Sequence, residues 1–474
     1  MNFNRKANLN NNNVIIYILS SLILFAADSL NAQVIPGFIS LEQAREYALM
    51  YNKTLMNARN NIIVSDEKVK EVKAQGLPQV EGTLDFLTYF NYELELDFGM
   101  GSSTPPDINV GLLDAGDWEV LNVIGQMFGS SEPIIMNNQS SAKVQLSQLI
   151  FSGQYLAGVQ TARIARELAA QSLKRTEVEI IENVTNSYYL ILATEHTLEI
   201  INKTLENLNI TLQHTKNLYM AGVAEETDVD QILSAVNQLI NTRKSLERAI
   251  QLNYNLLKFQ LGAKPDLEIE LTDKLDEFLA NIEMENQFFI GYDITKNTDY
   301  QLMETQVKLS EKEVEMNRWA YGPTIAGFYS YTEKIVTTDF DITPKHVAGA
   351  SMSLPIFSSG MRKAKLNQAK IGLDMAQRNQ ELVREQLELQ EKQFLFNLRN
   401  ALENYATQKE NVRIAERLYN SIQNKYNQGL LSSLDLTQAN TNYLNAENNY
   451  LNSVLTLLQA NLSLEKLYNT FNIK

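Results

Sequence analysis

Tyr219-Met-Ala-Gly222-Val-Ala-Glu-Glu-Thr-Asp228-Val-Asp-Gln231 and Tyr426-Asn-Gln-Gly429-Leu-Leu-Ser-Ser-Leu-Asp435-Leu-Thr-Gln438 are two copies of one pattern. Tyr, Gly, Asp and Gln recur at an offset of 207 residues. Upstream, an offset of 245 aligns Tyr47 with Tyr292, Asn52 with Asn297, Ser65 with Ser310, Val69 with Val314, and Pro78-x-x-x-Gly82 with Pro323-x-x-x-Gly327. The two offsets differ because one connecting loop is 38 residues shorter in the second copy (245 − 207 = 38). One supersecondary unit is therefore present twice, and the fold is expected to be quasi-symmetric.

Gly222 and Gly429 fall where a helix must stop. Glycine readily takes the left-handed conformation that ends a helix, and an Asp a few residues later starts the return, so each copy predicts a helix-hairpin tip. Working back from the tips, Ile191, Leu198, Leu205, Leu212 and Tyr219 recur every seven residues, with Ile201 and Leu208 on the complementary position. Leu398, Tyr405, Val412, Tyr419 and Tyr426, with Ala401, Ala415 and Ile422, do the same in the second copy. A sustained seven-residue period keeps one apolar seam against a partner helix. No proline interrupts 158–220 or 361–428, so each predicts a helix of roughly 95–100 Å. Shorter helices are expected at 40–75, 225–261, 293–319 and 432–468, the first opened by a Ser40-x-x-Gln43 capping box. Two of these end to end match one long helix in length.

Between the helices lie stretches of strand composition at 78–92, 138–151, 323–332 and 346–357. Phe86, Tyr89, Phe90, Tyr92, Phe328, Tyr329 and Tyr331 are candidates for an aromatic interface belt. An ordinary four-stranded sheet of a soluble domain would carry similar composition. The start of the chain decides between them. Arg5 and Lys6 precede an apolar run from Val14 to Ala27, followed by a candidate cleavage site at Asn31-Ala32-Gln33. That run is too short for a spanning anchor. Export without a spanning helix favours an outer-membrane barrel. Sheet edges exposed to lipid must close, and four strands are too few, so closure requires several copies of the chain.

Composition narrows the function. Among 474 residues there are nine prolines, no cysteine and a net charge of −15. Disulfides, thiolate metal sites and cysteine nucleophiles are excluded, and nucleic acid is an unsuitable partner for so acidic a chain. Ten acids and no Lys or Arg lie between Ala74 and Ala142, which predicts a solvated loop over 93–137 that is extracellular and dispensable for folding. His196, His214 and His346 are isolated, without ligand spacing. No nucleophile, phosphate loop or paired-acid constellation stands out, so neither an enzyme nor a cofactor is expected. A periplasmic coiled-coil or adaptor protein would explain the heptads and the export signal, but leaves the strand pairs unexplained.

The arrangement resembles the TolC family of outer-membrane efflux proteins. The resemblance rests on the two tips, on Leu149-Ile-Phe-Ser-Gly153 and Leu354-Pro-Ile-Phe-Ser-Ser-Gly360, and on Leu41-x-x-Ala44-x-x-Tyr-Ala-Leu49-x-x-Asn52. It implies a mixed α/β but mainly α fold, with a long antiparallel coiled-coil barrel of helices joined to a 12-stranded transmembrane β-barrel. That barrel is shared by a homotrimer in outer-membrane lipid, with the strands at one end and the tips at the other. The expected organisation is a signal peptide (1–32), a first repeat (33–261), an irregular equatorial connector (262–291) and a second repeat (292–474). The family implies a passive exit duct for efflux or type I secretion. Its tips, here Gly222, Val223, Thr227, Gly429, Leu430 and Ser433, would dock a periplasmic adaptor (membrane fusion) protein joined to an inner-membrane RND or ABC transporter. By the same resemblance Asp435, Gln438, Tyr426 and Asp228 map to the periplasmic constriction. Gln438 stands where a second acid can occur, and Leu431 where a basic residue can help hold the entrance shut, so a single acidic ring is expected. Asp228 and Asp435 also lie in the first turn of a return helix, and Ser432-x-x-Asp435 reads as a capping box. Tyr426 sits on the heptad seam.

Overall fold

A computed structural model describes residues 37–88, 90, 92–94, 134–136, 138–284, 291–336 and 344–471. The export signal, most of the acidic loop and part of the connector lie outside the described residues. In chain order the elements are β1 (Phe38–Ile39), α1 (Leu41–Tyr51), α2 (Lys53–Ala74), β2 (Gln79–Leu87), β3 (Tyr92–Leu94), β4 (Ile134–Met136) and β5 (Gln139–Ser152). Then follow α3 (Gly153–Met220), α4 (Glu226–Leu261), β6 (Glu270–Leu271), α5 (Leu275–Met284), α6 (Thr298–Trp319), β7 (Thr324–Val336), β8 (His346–Ser353), α7 (Met361–Asn427) and α8 (Ser433–Tyr468). The long helices α3 and α7 have 68 and 67 residues, on the order of 100 Å each. The connector is less irregular than expected, since it holds β6 and α5, and β6 pairs in parallel with β1.

The chain forms two compact units. One comprises residues 1–62, 168–304 and 379–474, the other 63–167 and 305–378.

The first unit holds the apolar cores. A cluster built around Val184, Tyr188, Ile191, Leu257, Val454 and Leu457 is nearly free of solvent. A second cluster joins the two hairpins through Leu208, Ile232 and Leu436, all at zero exposure, with Tyr419 and Tyr426. Each fully buried aliphatic side chain of this kind contributes about 1.5–3 kcal/mol. The seam is not uniform. Tyr219 is 45 % exposed whereas its counterpart Tyr426 is 7 % exposed.

One break was not expected. The helix read over 40–75 is divided at Asn52. Its side-chain oxygen accepts from the N–H groups of Thr54 (2.8 Å) and Leu55 (3.2 Å), capping α2, while its amide donates to the Gln260 carbonyl at 2.6 Å. Asn297 repeats the device in the second copy. It accepts from Asp299 (2.9 Å) and Tyr300 (3.3 Å) and donates to the Leu467 carbonyl at 3.0 Å. Each asparagine thus ties the start of one helix to the C-terminal end of another.

The second unit holds an antiparallel sheet in the order β2-β5-β7-β8. The central pair joins the two repeats, because β5 comes from the first and β7 from the second. Register sorts most of the side chains, although Glu333, opposite Ala142, and His346, opposite Tyr331, share the mainly apolar face. Val80 faces Leu146, which faces Tyr329, which faces Ala348; Gly82, Val144 and Tyr331 continue that apolar face. The opposite face carries Glu81, Gln145 and Ser330. Phe328 pairs with Ser147 and Gly349 on this polar face, so it cannot share a belt with Tyr329 and Tyr331. Tyr89 and the side chain of Tyr92 lie outside the described residues. Every residue of β2 is exposed, and β2 and β8 are unpaired along their outer edges among the described residues. Where β5 runs into α3, Gly153 is required: a Cβ there would lie 2.1 Å from the Trp319 ring.

Candidate functional site

The two hairpin tips are built alike. Gly222 and Gly429 both have φ of +73°, where an L side chain is strained. At the first tip Val223 N–H donates to the Leu218 carbonyl (2.9 Å) and Gly222 N–H to the Tyr219 carbonyl (2.9 Å). At the second, Leu430 N–H donates to Lys425 (2.9 Å) and Gly429 N–H to Tyr426 (2.8 Å). This paired bonding closes the last turn of a helix and satisfies carbonyls that would otherwise be orphaned there. Gly222, Val223, Thr227, Gly429 and Leu430 are exposed. Val223 is 73 % and Leu430 68 % exposed. These are large apolar side chains presented to solvent.

Ser433 differs from its companions. It is 2 % exposed, and its hydroxyl lies 2.6 Å from an Asp228 carboxylate oxygen and 2.6 Å from the Gln231 amide oxygen. With one proton to give, it favours the carboxylate, the stronger acceptor. Asp228 also accepts from the Glu225 N–H at 3.2 Å, so it caps its own helix and clasps the other hairpin at once.

Tyr426 is buried between the hairpins, and burial pushes its phenol pKa up. Its hydroxyl lies 2.6 Å from Thr215 Oγ1. Thr215 already donates to the Thr211 carbonyl at 2.9 Å, so Tyr426 is the donor in their shared bond. Neighbouring Tyr419 stacks on Tyr443 with 5.6 Å between ring centroids, and burial pushes its pKa up to about 12.

Asp435 and Gln438 are exposed. Asp435 accepts from the Ser432 hydroxyl (2.7 Å) and N–H (3.1 Å), while its own N–H donates to Ser432 Oγ (3.2 Å). These bonds from Ser432 hold the Asp435 carboxyl below the usual carboxylate range. Gln438 donates to Asn442 at 3.0 Å. The expected constriction residues therefore divide into two pairs. Tyr426 and Asp228 bind the two hairpins of the chain together, and Asp435 and Gln438 stand on the exposed face of α8. Thr215 was not foreseen. Its only signal is a run of buried threonines, Thr204, Thr211 and Thr215, on a helix otherwise read for its apolar seam. Among the described residues no cluster of His, Asp and Glu is arranged to hold a metal.

A model of the outer membrane efflux protein family matches residues 45–263 and 294–470. The toluene efflux pump outer membrane protein TtgC of Pseudomonas putida is 23 % identical over 310 residues, which is 62 % of this chain and 61 % of that protein. The chain thus spans about 61 % of the length of the efflux-pump relatives it matches. The outer membrane protein VceC of Vibrio cholerae shares the fold with a TM-score of 0.66 at 16 % identity, over 90 % of this chain and 95 % of its own. The Campylobacter jejuni outer membrane channel CmeC does so with a TM-score of 0.67 at 14 % identity, over 90 % and 85 %. Matched through both repeats and well over half its length, this outer-membrane protein belongs to the outer membrane efflux protein family.

Proposed function

We propose that the protein is the outer-membrane exit duct of a tripartite efflux or type I secretion system. The observation that carries this reading is the sheet of β2, β5, β7 and β8. It has one mainly apolar and one mainly polar face, exposed residues throughout β2 and, among the described residues, unpaired outer edges. Such a sheet is unstable alone in water and cannot end in lipid with open edges. Three copies of this four-stranded sheet joined edge to edge would give a 12-stranded barrel, with the apolar face to lipid and the polar face to a water-filled passage. The two repeats, read as 33–261 and 292–474 about a connector at 262–291, supply two strands each. In this reading the loop over 93–137 is extracellular.

Conduction is passive and no residue acts catalytically. The exposed tips, with Val223 and Leu430 as apolar contacts, dock a periplasmic adaptor that links the duct to an inner-membrane RND or ABC transporter. Asp435 contributes one acidic ring at the periplasmic mouth, with Gln438 beside it. The test is extraction from outer membranes in mild detergent, followed by electrophoresis with and without heating and by conductance measurements in planar bilayers. A heat-dissociable trimer that conducts supports the reading. A monomer that stays soluble without detergent overturns it.

A further inference from the structure

The exposed face of α8 carries a second pattern that the apolar seam conceals. Gln438, Asn445, Asn452 and Gln459 recur at seven-residue intervals and are all exposed. Asp435 lies one turn before the first of them and on the same face. Between Leu436 and Leu464 the sole charged residue is Glu447, which is only 9 % exposed. The long helix α7 contrasts with this. Its exposed positions include Arg399, Glu403, Lys409, Glu410 and Arg413. A face turned to bulk solvent ordinarily carries such charges. A face that packs against another helix carries apolar residues, and even one Asn on a coiled-coil seam lowers stability. The α8 face does neither. In the single chain it is exposed, polar, uncharged and continuous, which is the surface suited to a confined column of water.

A groove of about 460 Å³ beside the far end of the stripe extends the same chemistry to α7. It is lined by Asn397, Asn400 and Asn404 across from Gln459. Fixed charges on the wall of a narrow aqueous passage act through poorly screening surroundings, and symmetry would repeat each of them. A single charged ring deep in the passage would oppose all solutes of its own sign.

We propose that this amide stripe is the inner wall of the conduit, and that its lack of charge lets the body of the duct pass anionic, neutral and cationic polar solutes alike. Discrimination by charge is then confined to Asp435 at the mouth. The proposal rests on the exit-duct reading above.

The test uses the full-length trimer in planar bilayers under a salt gradient, where the reversal potential reports the cation-to-anion permeability ratio. Asn445→Asp and Asn452→Asp should each raise that ratio by roughly tenfold, and Asn445→Lys should move it the other way. Asn209→Asp, at an exposed position of α3, is the control for overall charge and should leave it unchanged. Since the chain has no cysteine, Asn452→Cys gives a second, independent measurement. Charged methanethiosulfonate reagents should shift the reversal potential according to their sign. Intact conducting trimers whose selectivity ignores both substitutions and labelling would overturn the proposal while leaving the duct standing. An equal response from Asn209→Asp would overturn it too. Trimers without any conductance would overturn the duct itself.

Discussion

At the scale of single residues, geometry separates charge from scaffold. Asp435 caps α8 through Ser432, and Asn at that position can still accept the backbone N–H. Asp435→Asn should therefore keep the helix start while weakening cation selectivity and divalent-cation block in single-channel recordings. A fall in thermal stability with unchanged conductance would reduce Asp435 to a cap. Its depressed carboxyl also fixes a pH direction. The cap contribution is complete above the ordinary carboxylate pKa and is lost as pH falls through the lower folded value. Glu447 behaves oppositely. Burial raises its pKa, so the folded state favours the protonated acid, and that contribution fades as pH rises through the folded value. Glu447→Gln should raise the thermal unfolding temperature of the helical part at pH 8, with the gain shrinking towards pH 4. A gain that does not depend on pH would count against this assignment. The capping role of Asp435 was legible in Ser432-x-x-Asp435, because a cap needs only local spacing. The bond between Tyr426 and Thr215 was not, since it joins residues 211 apart in sequence and depends on how two helices turn their faces.

At the scale of elements, the tips and the long helices were readable because their signals are local and occur twice. Glycine with positive φ, an Asp-led return and an unbroken heptad each act over one or a few turns. The division at Asn52 was hidden for a complementary reason. Tyr51-Asn52-Lys53 contains neither proline nor glycine, and the break is stabilised by the Gln260 carbonyl, 208 positions away. The equivalent Asn297 bond to Leu467 spans 170. Both asparagines are at most 9 % exposed, and each satisfies two N–H groups and one carbonyl. Asn52→Ala or Asn297→Ala should each cost about 1–3 kcal/mol for the polar groups left unpaired, read as earlier thermal unfolding of the helical part by circular dichroism. Asn52→Asp should recover part of the loss, because it retains the capping oxygen but repels the Gln260 carbonyl. Equal losses for Ala and Asp would assign the whole effect to the bond with Gln260. The misplacement of Phe328 belongs here too. Strand alternation alone puts Phe328 on the face opposite Tyr329 and Tyr331, and the pairing register, which sets Phe328 against Gly349, identifies that face as the polar one.

At the scale of the whole molecule, the two faces of the sheet should respond differently to one charge. Leu146 and Gln145 are adjacent on β5, yet they point to opposite faces. Leu146→Lys should weaken barrel assembly by up to about 2–4 kcal/mol, the cost of a lysine on the lipid side near mid-membrane, whereas Gln145→Lys should be tolerated. Heat-resistant trimer yield measures both, and equal tolerance would show that Leu146 does not meet lipid. The joining of the repeats through β5 and β7 also bears on time. Their pairing runs from Ser140 with Val336 to Ser152 with Thr324, so contacts close over 196 residues (336 − 140) at one end and 172 (324 − 152) at the other. Helical hairpins close over far shorter spans, and long loops slow the contacts that depend on them. In pulsed hydrogen exchange the amides of α3 should gain protection before those of β5. The reverse order would exclude this sequence of events. The chain can then be largely helical before its lipid-compatible face exists, and the surface most prone to aggregate is assembled last.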